Sequence, residues 1–489
     1  MTVREVTMRA QAAEESVRET PSAERIAWLN GAADALADNT DLLIEIAGDE
    51  THLDASRLRG EMARTTAQLR FFGEVISDGH YLEVIVDHAD AATTPPRPDL
   101  RRMLRPIGPV AVFAASNFPF AFSVAGGDTA SALAAGCPVV VKTHPGHPDT
   151  SRETARIVQE SLDDAGAPQG AFDIVEGIQE GVDLASDQAI KAVAFTGSLR
   201  GGKAIHEVCS TRPDPIPFYG ELGSLNPVVV TARADLERGA SLAAGLVGSF
   251  TLGVGQFCTK PGIVFLPTDS TIEAVLPSHL THDARPMLHR AIFEGYHAGM
   301  RRAVEAGNVE VVSGSWDHHE DVASPVVLAT GIENLMLRRD VLLDEVFGPM
   351  TLLVRYRDIA QVRELLDVLQ GSLTATIHAG QDENIDDLVE SAGRIAGRVL
   401  FDGWPTGVAV TWAQHHGGPW PATTSTHTSV GATAIRRFLR PIVFQDAPPR
   451  ALPPELLEDN PLGIPRRVNG NLEPGPIRAG ARTGRATQQ

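Results

Sequence analysis

The residue best suited to covalent chemistry in this sequence is Cys258, which lies in the segment Gly-Gln-Phe-Cys-Thr-Lys-Pro-Gly. A helix-like stretch, 240–250, leads into this glycine-containing turn, and a strand-like run follows it. A lone cysteine is more often a small buried hydrophobic residue than a nucleophile. At such a junction, however, a thiolate is accessible, and backbone N–H groups are free to receive a developing oxyanion. We therefore take Cys258 as the candidate nucleophile.

Two further side chains can supply a base and a hydrogen-bond donor. Glu221 follows an apolar segment and lies between Gly220 and Gly223. If it is more than a surface carboxylate, we expect it at a strand end, with a pKa raised by partial burial as a general base requires. Asn117 follows the apolar run 110–115. An asparagine at a turn needs no special explanation, but its amide N–H also suits a carbonyl oxygen that becomes negative.

Two segments have features of a dinucleotide site. Lys142 ends the apolar run 139–141, and a lysine there is either solvated or hydrogen-bonded to ribose hydroxyls. Phe-Thr-Gly-Ser at 195–198 leads a strand-like run into a glycine-containing helix start that includes Gly202. Thr196, Gly197 and Ser198 resemble a phosphate-binding turn, but the pattern is not Gly-x-Gly-x-x-Gly and is weak when taken singly.

The elements that must position these side chains alternate as strands and helices from residue 107 to 220. Such alternation predicts a doubly wound, mainly parallel α/β sheet, in which ligands bind outside the carboxyl ends of the strands. The apolar runs are 110–115, 139–141, 172–175 and 192–195, with helix-like stretches at 150–165 and 199–208. A second α/β series follows at 227–230, 240–250, 262–266, 351–354 and 398–401.

The remaining segments are interpreted as peripheral. Residues 20–75 have helical periodicity, with Thr20 as the N-cap and Pro21 at the first helical position. Residues 80–97 alternate like a strand and then become proline-rich, which predicts a sheet arm used for assembly. We expect this arm to pair with a strand at 439–445. The chain from about Pro448 is rich in Pro, Gly and Arg, and the last residues, from Gly475, have no core pattern and are expected to be mobile.

Chain length, net charge and apolar content limit the classes of protein that this sequence can encode. A chain of 489 residues exceeds one ordinary core, so we expect roughly two or three domains. A net charge of −20 argues against nucleic acid or an anionic membrane as the main partner. There is no run of about 18 apolar residues and no signal-peptide pattern, so we expect a cytoplasmic protein.

The cysteines and histidines predict neither disulfides nor a metal site. Three cysteines are too few and too far apart for a disulfide framework. Cys137 is interpreted as a core residue and Cys209 as partly exposed. The histidine pairs 318–319 and 415–416 lie in loops without further candidate ligands, so no metal is expected.

In their order along the chain, these motifs resemble the signature of the aldehyde dehydrogenase superfamily. The signature comprises Asn117 in Ser-Asn-Phe-Pro, Lys142, Phe-Thr-Gly-Ser at 195–198, Glu221 in Glu-Leu-Gly, Cys258, and Glu345 in Glu-Val-Phe-Gly-Pro. The resemblance extends from about residue 20 to about residue 460. It implies a Rossmann-type cofactor domain, an α/β catalytic domain and a small β oligomerisation arm that forms a homodimer or homotetramer. The implied bounds are 1–79 and 98–221, 222–413, and 80–97 with 436–450, followed by a tail at 451–489.

The resemblance also implies roles for individual residues. Cys258 would add to a small-molecule aldehyde, and the oxyanion would be held by the Asn117 amide and the Cys258 N–H. After hydride transfer to NAD(P)⁺, Glu221 would activate the water that hydrolyses the thioester. Glu345 would hold the nicotinamide ribose and Phe347 would pack against the nicotinamide half.

Several stretches are most similar to the 2,5-dioxopentanoate (α-ketoglutaric semialdehyde) dehydrogenases within that superfamily. They are 122–136, 142–148, 401–408, 416–424 and 435–441. Two departures bear on the substrate: Asp402 stands where this subfamily has Asn, and 423–431 is one residue short and lacks an expected arginine. A medium- or long-chain fatty aldehyde remains an alternative substrate. A CoA-acylating enzyme is a weaker alternative, because such an enzyme needs no carboxylate like Glu221 to activate water. A non-catalytic member of the superfamily is disfavoured, because the motifs are retained together.

The segment after Lys142 bears on the choice of cofactor. Strongly NAD-selective relatives have a glutamate three residues after the lysine, where this chain has Pro145. No carboxylate at that position repels a 2′-phosphate, and Lys142 and His144 are available to attract one. We therefore expect NADP⁺ to be accepted as well as NAD⁺, and a preference for NADP⁺ is open.

Overall fold

The computed structural model describes residues 1–316 and 321–475. Helices are most frequent in the first half of the chain. They are α1 (Val3–Glu19), α2 (Ser22–Asp38), α3 (Thr40–Thr51), α4 (Ala55–Ser77), α5 (Gly127–Ala135), α6 (Pro148–Asp164), α7 (Ile178–Ser186), α8 (Leu199–Thr211), α9 (Ala232–Thr251), α10 (Thr271–Val275), α11 (Arg290–Glu305), α12 (Ile332–Leu337), α13 (Arg339–Leu342), α14 (Ile359–Leu366) and α15 (Asp386–Ile395). Within the described ranges, no helix is both long and apolar enough to cross a membrane.

The strands are distributed along the whole described chain. They are β1 (Val84–Asp87), β2 (Leu100–Pro106), β3 (Val110–Phe113), β4 (Val139–Lys142), β5 (Phe172–Val175), β6 (Ala192–Thr196), β7 (Phe218–Glu221), β8 (Val228–Val230), β9 (Ile263–Pro267), β10 (Arg285–Pro286), β11 (Glu310–Ser313), β12 (Val322–Ala323), β13 (Val326–Gly331), β14 (Met350–Tyr356), β15 (Ser372–His378), β16 (Ala396–Phe401), β17 (Leu439–Gln445), β18 (Arg466–Val468) and β19 (Asn471–Glu473).

The first parallel sheet has the order β5-β4-β3-β6-β7. Its strands are short and strongly apolar, and every residue of β3 is buried, as expected for a sheet covered by helices on both faces. The chain proceeds outward from β3 through β4 to β5, then crosses to β6 on the other side. This reversal creates a crevice at the carboxyl ends of β3 and β6, where open α/β sheets bind ligands. The predicted doubly wound sheet is confirmed.

The second sheet has the order β11-β13-β14-β9-β8-β15-β16, and only β11 is antiparallel within the described residues. The predicted strands at 227–230, 262–266, 351–354 and 398–401 all belong to it. The strand β15 was not predicted, because polar residues alternate with apolar ones in its sequence, Ser-Leu-Thr-Ala-Thr-Ile-His, and no apolar run is formed. All seven of its residues are nevertheless buried, and the Thr374 hydroxyl donates to Asn226 Oδ1.

The third sheet has the order β17-β2-β1-β18-β19 and corresponds to the predicted arm. The expected pairing of residues 80–97 with 439–445 is wrong, because β2 lies between β1 and β17 and pairs with both. The chain after Pro448 also differs from expectation. Leu456 is buried, and β18 pairs in parallel with β1, so residues 451–475 complete this sheet. The prediction of mobility beyond Gly475 lies outside the described residues.

The N-terminal segment forms a helix that was not predicted. Val6, Ala10, Ala13 and Val17 are its buried apolar positions, at helical spacing. The N-cap assignment of Thr20 is wrong, because Thr20 ends α1 and its hydroxyl donates to Ser16 O at 2.8 Å. The predicted helices over 20–75 are confirmed as α2 to α4.

Candidate active site

The predicted site residues meet at the carboxyl edge of the first sheet. Asn117 follows β3, Lys142 ends β4, Thr196 ends β6 and Glu221 ends β7. Because these strands are parallel, their carboxyl ends share one edge, which brings together residues distant in sequence. The Asn117 amide donates to Gln256 O at 3.1 Å, so the segment after β3 contacts the loop that bears Cys258.

The Cys258 loop has an unusual backbone. After α9 ends, Gly253, Val254 and Gly255 all have left-handed conformations, with φ of 56°, 57° and 66°. A Cβ on Gly255 would lie 2.3 Å from the backbone of Gly348, so only glycine permits this close approach. This turn reverses the chain after the helix and places the half-buried Cys258 at the carboxyl edge of the first sheet.

A buried asparagine holds the other side of the same loop. The Asn226 amide donates to Cys258 O at 2.8 Å and to Lys260 O at 2.9 Å. Its carbonyl oxygen accepts from the hydroxyls of Ser224 and Thr374. Both ends of Asn226 are therefore satisfied, and the loop position is fixed by the second sheet. Such support keeps a nucleophile in one orientation.

Three functional groups converge next to the thiol. His416 Nε2 lies 3.6 Å from Cys258 Sγ and 3.1 Å from Glu221 Oε1. The Ser429 hydroxyl donates to Glu221 Oε2. Glu221 and His416 are almost fully buried. An imidazole Nε2–H in this position donates to the carboxylate and also faces the sulfur, so it favours negative charge on either group.

The pKa values of Cys258 and Glu221 shift in opposite directions. Burial, followed by the negative charge of Glu221, raises the pKa of Cys258 well above its usual range. Burial alone would raise the pKa of Glu221 too, but the contacts with His416, Ser429 and Cys258 outweigh it and lower that pKa. The expectation of a raised Glu221 pKa is therefore wrong. Glu221 stays ionised next to a protonated thiol, which is the state of a base ready to accept a proton.

His416 is the functional residue that the sequence interpretation missed. It lies in a Gly/Pro-rich loop, and its pairing with His415 drew attention only to metal binding. The three ligand atoms of Cys258, Glu221 and His416 lie within 4.8 Å of one another, so this set also has the chemistry of a zinc ligand group. The signal available in the sequence was the glycine context of His416, which is typical of a close backbone approach. The other histidine pair, 318–319, lies outside the described residues.

The first turn of α8 fits a phosphate. Ser198 is the N-cap, and its hydroxyl accepts from Gly201 N at 3.2 Å. Gly197 and Ser198 are exposed at the crevice, and the remaining free N–H groups of the helix start face outward with the positive end of its dipole. Gly202 packs closely against Leu222, which ties this turn to the segment after Glu221. These residues are suited to hold the pyrophosphate of a dinucleotide.

The charges around Lys142 differ from a simple cationic patch. Burial lowers the pKa of Lys142, and the nearby exposed carboxylate of Glu180 acts in the opposite direction. Burial and the neighbouring His147 and His289 lower the pKa of His144 to about 2, and its Nδ1 accepts from a backbone N–H. His144 is therefore neutral and can contribute to cofactor binding through a hydrogen bond but not through charge.

The segment with Glu345 and Phe347 packs on the nucleophile loop through a buried lysine. Lys260 Nζ donates to Val346 O at 3.1 Å and to Met350 O at 2.6 Å. Burial lowers the pKa of Lys260 and raises that of Glu345, and each charge opposes the shift of the other. Phe347 is half-buried. Lys260 thus positions the two residues that the resemblance assigned to the nicotinamide half.

The two other thiols have no comparable environment. Cys137 and Cys209 are fully buried, and burial raises the pKa of each to about 11. The expectation of partial exposure for Cys209 is wrong, because its helix packs that face on the first sheet. Cys258 alone among the cysteines adjoins a base.

A dinucleotide-type sheet with a thiol beside a buried carboxylate at its carboxyl edge is typical of nucleotide-dependent enzymes with a cysteine nucleophile. The aldehyde dehydrogenase family model matches residues 1–439. An α-ketoglutaric semialdehyde dehydrogenase of Azospirillum brasilense is 44% identical over 95% of this chain and 90% of its own length. One from Acinetobacter baylyi is 40% identical over 96% and 92%.

The chain therefore belongs to the aldehyde dehydrogenase family, and it is an NAD(P)-dependent aldehyde dehydrogenase. The fold agrees with this assignment. The NADP-dependent glyceraldehyde-3-phosphate dehydrogenase of Bacillus halodurans, solved with NADP, superposes with a TM-score of 0.75 at 22% identity, covering 91% of each chain.

Proposed function

We propose that this enzyme oxidises 2,5-dioxopentanoate to 2-oxoglutarate. The observation that carries the proposal is the likeness, at 44% and 40% identity over nearly the whole chain, to two α-ketoglutaric semialdehyde dehydrogenases. The buried Glu221 next to the half-buried Cys258 supports the hydrolytic outcome, because the carboxylate is positioned to activate a water that attacks a thioester. A fatty aldehyde is not favoured by these relatives.

The proposed reaction uses residues of this chain at each step. Glu221, assisted by His416, accepts the Cys258 proton, and the thiolate adds to the aldehyde carbon. The Asn117 amide and the Cys258 N–H hold the resulting oxyanion; loss of one such donor typically costs ~10²–10³ in rate. The bound nicotinamide supplies a hydride acceptor. Glu221 releases the Cys258 proton to solvent and, again ionised, takes a proton from water. The water attacks the thioester on Cys258, the C–S bond breaks, and the carboxylate product leaves.

The cofactor site is proposed to consist of Lys142, His144, Thr196, Gly197, Ser198, Gly202, Glu345 and Phe347. We propose that NAD⁺ and NADP⁺ are both accepted. Pro145 carries no carboxylate that would repel a 2′-phosphate, whereas Glu180 adds a carboxylate near Lys142. A preference for NADP⁺ thus depends on which of the two influences is larger.

The remaining proposals concern domains, assembly and location. We propose a cofactor domain, a catalytic domain and an arm, each built around one of the three sheets, with 100–106 and 466–473 assigned to the arm. The edge strand β17 carries exposed Val443, which supports assembly into a homodimer or homotetramer through this sheet. A cytoplasmic location is proposed because Cys137, Cys209 and Cys258 are all free thiols, as in a reducing compartment.

The function is tested by cofactor reduction with the purified protein. The aldehydes are 2,5-dioxopentanoate, succinate semialdehyde and octanal, each with NAD⁺ and NADP⁺, and Cys258→Ala is the control. The highest kcat/KM with 2,5-dioxopentanoate, lost in Cys258→Ala, is expected. A higher kcat/KM with octanal would overturn the proposed substrate but not the family. Stimulation by CoA with formation of an acyl-CoA would overturn the hydrolytic route.

A further inference from the structure

Arg64, on the helix α4, has a buried guanidinium with no bonding partner on one edge. Its Nε and Nη2 are both inaccessible to solvent, and neither has a hydrogen-bond partner among the described residues. A buried donor without a partner costs free energy, more so when it is charged. Over the described ranges, Arg64 also forms no ion pair within 4 Å. A pair of buried cationic donors in this condition indicates a group that an anionic ligand completes.

The free edge is the one that binds carboxylates elsewhere in this protein. Arg152 donates from Nε and Nη2 to the two oxygens of Glu176, at 2.9 and 3.0 Å. Arg156 binds Glu153 through the same two nitrogens, at 3.1 and 2.6 Å. The Nε–H and Nη2–H of one guanidinium form a planar fork, which matches the two oxygens of a carboxylate in spacing and plane. Arg64 presents this fork without a carboxylate from the described chain.

The neighbouring acid does not satisfy Arg64. Glu61, one turn earlier on α4, accepts from the backbone N–H groups of Phe120 and Ala121 at 2.8 and 2.9 Å. Its second oxygen lies 3.5 Å from Arg57 Nη2 and accepts no hydrogen bond from a described residue. Burial also raises the pKa of Glu61, which reduces its negative charge. Glu61 therefore forms backbone hydrogen bonds through Oε1 and an ion pair with Arg57 through Oε2, and it forms neither with the Arg64 fork in the described chain.

An aromatic cluster connects the surroundings of Arg64 with those of the nucleophile. Its guanidinium carbon lies 5.0 Å from the centre of the Phe122 ring and 5.8 Å from that of Phe118. The Phe118 ring packs edge-on against Phe257, the residue before Cys258, at 5.2 Å. Phe122 in turn lies 6.4 Å from the His416 ring. Arg64 and the nucleophile therefore border the same aromatic cluster.

The charge of Arg64 acts on the reacting groups. Burial lowers the pKa of Arg64, while the negative charges of Cys258, Glu61 and Glu221 oppose that shift, Cys258 the most. The aldehyde and carboxylate carbons of 2,5-dioxopentanoate are four bonds apart, which is about 5 Å end to end in an extended zigzag chain with bonds of ~1.5 Å. A short aldehyde acid bound to Cys258 therefore keeps its anionic end about 5 Å from the reacting carbon, close to a sulfur whose pKa the Arg64 charge lowers.

We propose that Arg64 binds the distal carboxylate of the substrate through its Nε–H and Nη2–H, and so selects aldehydes that carry an acid group. The proposal rests on the proposed function, since it assumes an aldehyde acid as substrate. It also accounts for the shortened segment 423–431, which lacks an arginine: the cation is supplied from α4 instead.

The test compares two five-carbon aldehydes, 2,5-dioxopentanoate and uncharged pentanal. Arg64 also influences the Cys258 thiolate, so its removal slows both substrates, and the informative quantity is the ratio of their kcat/KM values. In Arg64→Met this ratio is expected to fall roughly 10²-fold, as for loss of a bidentate charged pair. Most of the specific loss is expected in KM. Arg64→Lys, which keeps the charge but not the fork, should recover part of it.

Arg59→Met is the matched control. Arg59 lies on the same helix, but its side chain is 59% exposed and pairs with Asp41 at 2.9 Å. It should leave the ratio unchanged although it removes the same charge. If kcat/KM falls by the same factor for both aldehydes in Arg64→Met and in Arg64→Lys, the role of Arg64 in carboxylate binding is wrong. The proposed function would stand. A wild-type enzyme that prefers pentanal would overturn the proposed function and the inference together.

Discussion

The Nε2 of His416 lies 3.1 Å from Oε1 of Glu221, although 195 residues separate the two in the sequence. This contact makes the carboxylate more acidic despite its burial. It also places the same imidazole 3.6 Å from the Cys258 sulfur. The site thus contains a third functional group that can stabilise negative charge on the nucleophile or on the base.

Replacement of His416 should change the pH dependence of the enzyme. In His416→Phe the desolvation of Glu221 is opposed only by Ser429 and Cys258, so the pKa of Glu221 rises and the carboxylate is protonated at higher pH. A hydrogen bond to a charged group contributes about 1.5–3 kcal/mol, so the acid limb of the kcat–pH profile should move up by roughly 1–2 pH units. His416→Gln, which keeps a donor, should shift less. His415→Gln is the control, and an acid limb at the same pH in His416→Phe would contradict the role.

Replacement of Glu221 should separate the two half-reactions. In Glu221→Gln the thioester still forms but water is not activated, so one equivalent of reduced cofactor should appear in a burst. The steady-state rate should then be lower by about 10²–10⁴-fold, the usual contribution of a general base. Stopped-flow absorbance at the nicotinamide band measures both phases. An unchanged steady-state rate without a burst would remove Glu221 from the mechanism.

The thiol of the free enzyme should react slowly at neutral pH. Because burial and Glu221 raise the pKa of Cys258 well above its usual range, the thiolate fraction is small at pH 7. Alkylation by iodoacetamide should accelerate about tenfold per pH unit up to at least pH 9, since only the thiolate reacts. Mass spectrometry should find the label on Cys258, with the buried Cys137 and Cys209 unlabelled. A rate independent of pH between 6 and 9 would show that the thiolate is already formed.

The balance between NAD⁺ and NADP⁺ should respond to Glu180. Its carboxylate lies near Lys142, where it can accept from a ribose hydroxyl and repel a 2′-phosphate. In Glu180→Gln the kcat/KM for NADP⁺ relative to NAD⁺ is expected to rise roughly tenfold, the effect of about 1.4 kcal/mol. Glu176→Gln, which is also exposed and precedes the same helix, is the control. An unchanged ratio would place Glu180 outside the cofactor site.

The sequence by itself determined the local elements and the residues at their ends. The apolar runs before Asn117, Lys142 and Glu221 are strands because β-rich, doubly buried segments have few alternatives. The glycines before Cys258 allow the left-handed turn that exposes it. These features depend on neighbours within a few residues, so they can be predicted without the tertiary structure.

Only the tertiary structure decided which distant groups meet. β2 separates β1 from β17, and a strand's partner depends on chain path as well as on its own pattern. His416 meets Glu221, and Arg64 keeps an unpartnered fork beside the aromatic cluster, because elements far apart in sequence pack together. The pKa of Glu221 was mispredicted for the same reason: its sign depends on whether burial or specific partners contribute more free energy, and those partners come from a loop about 200 residues away.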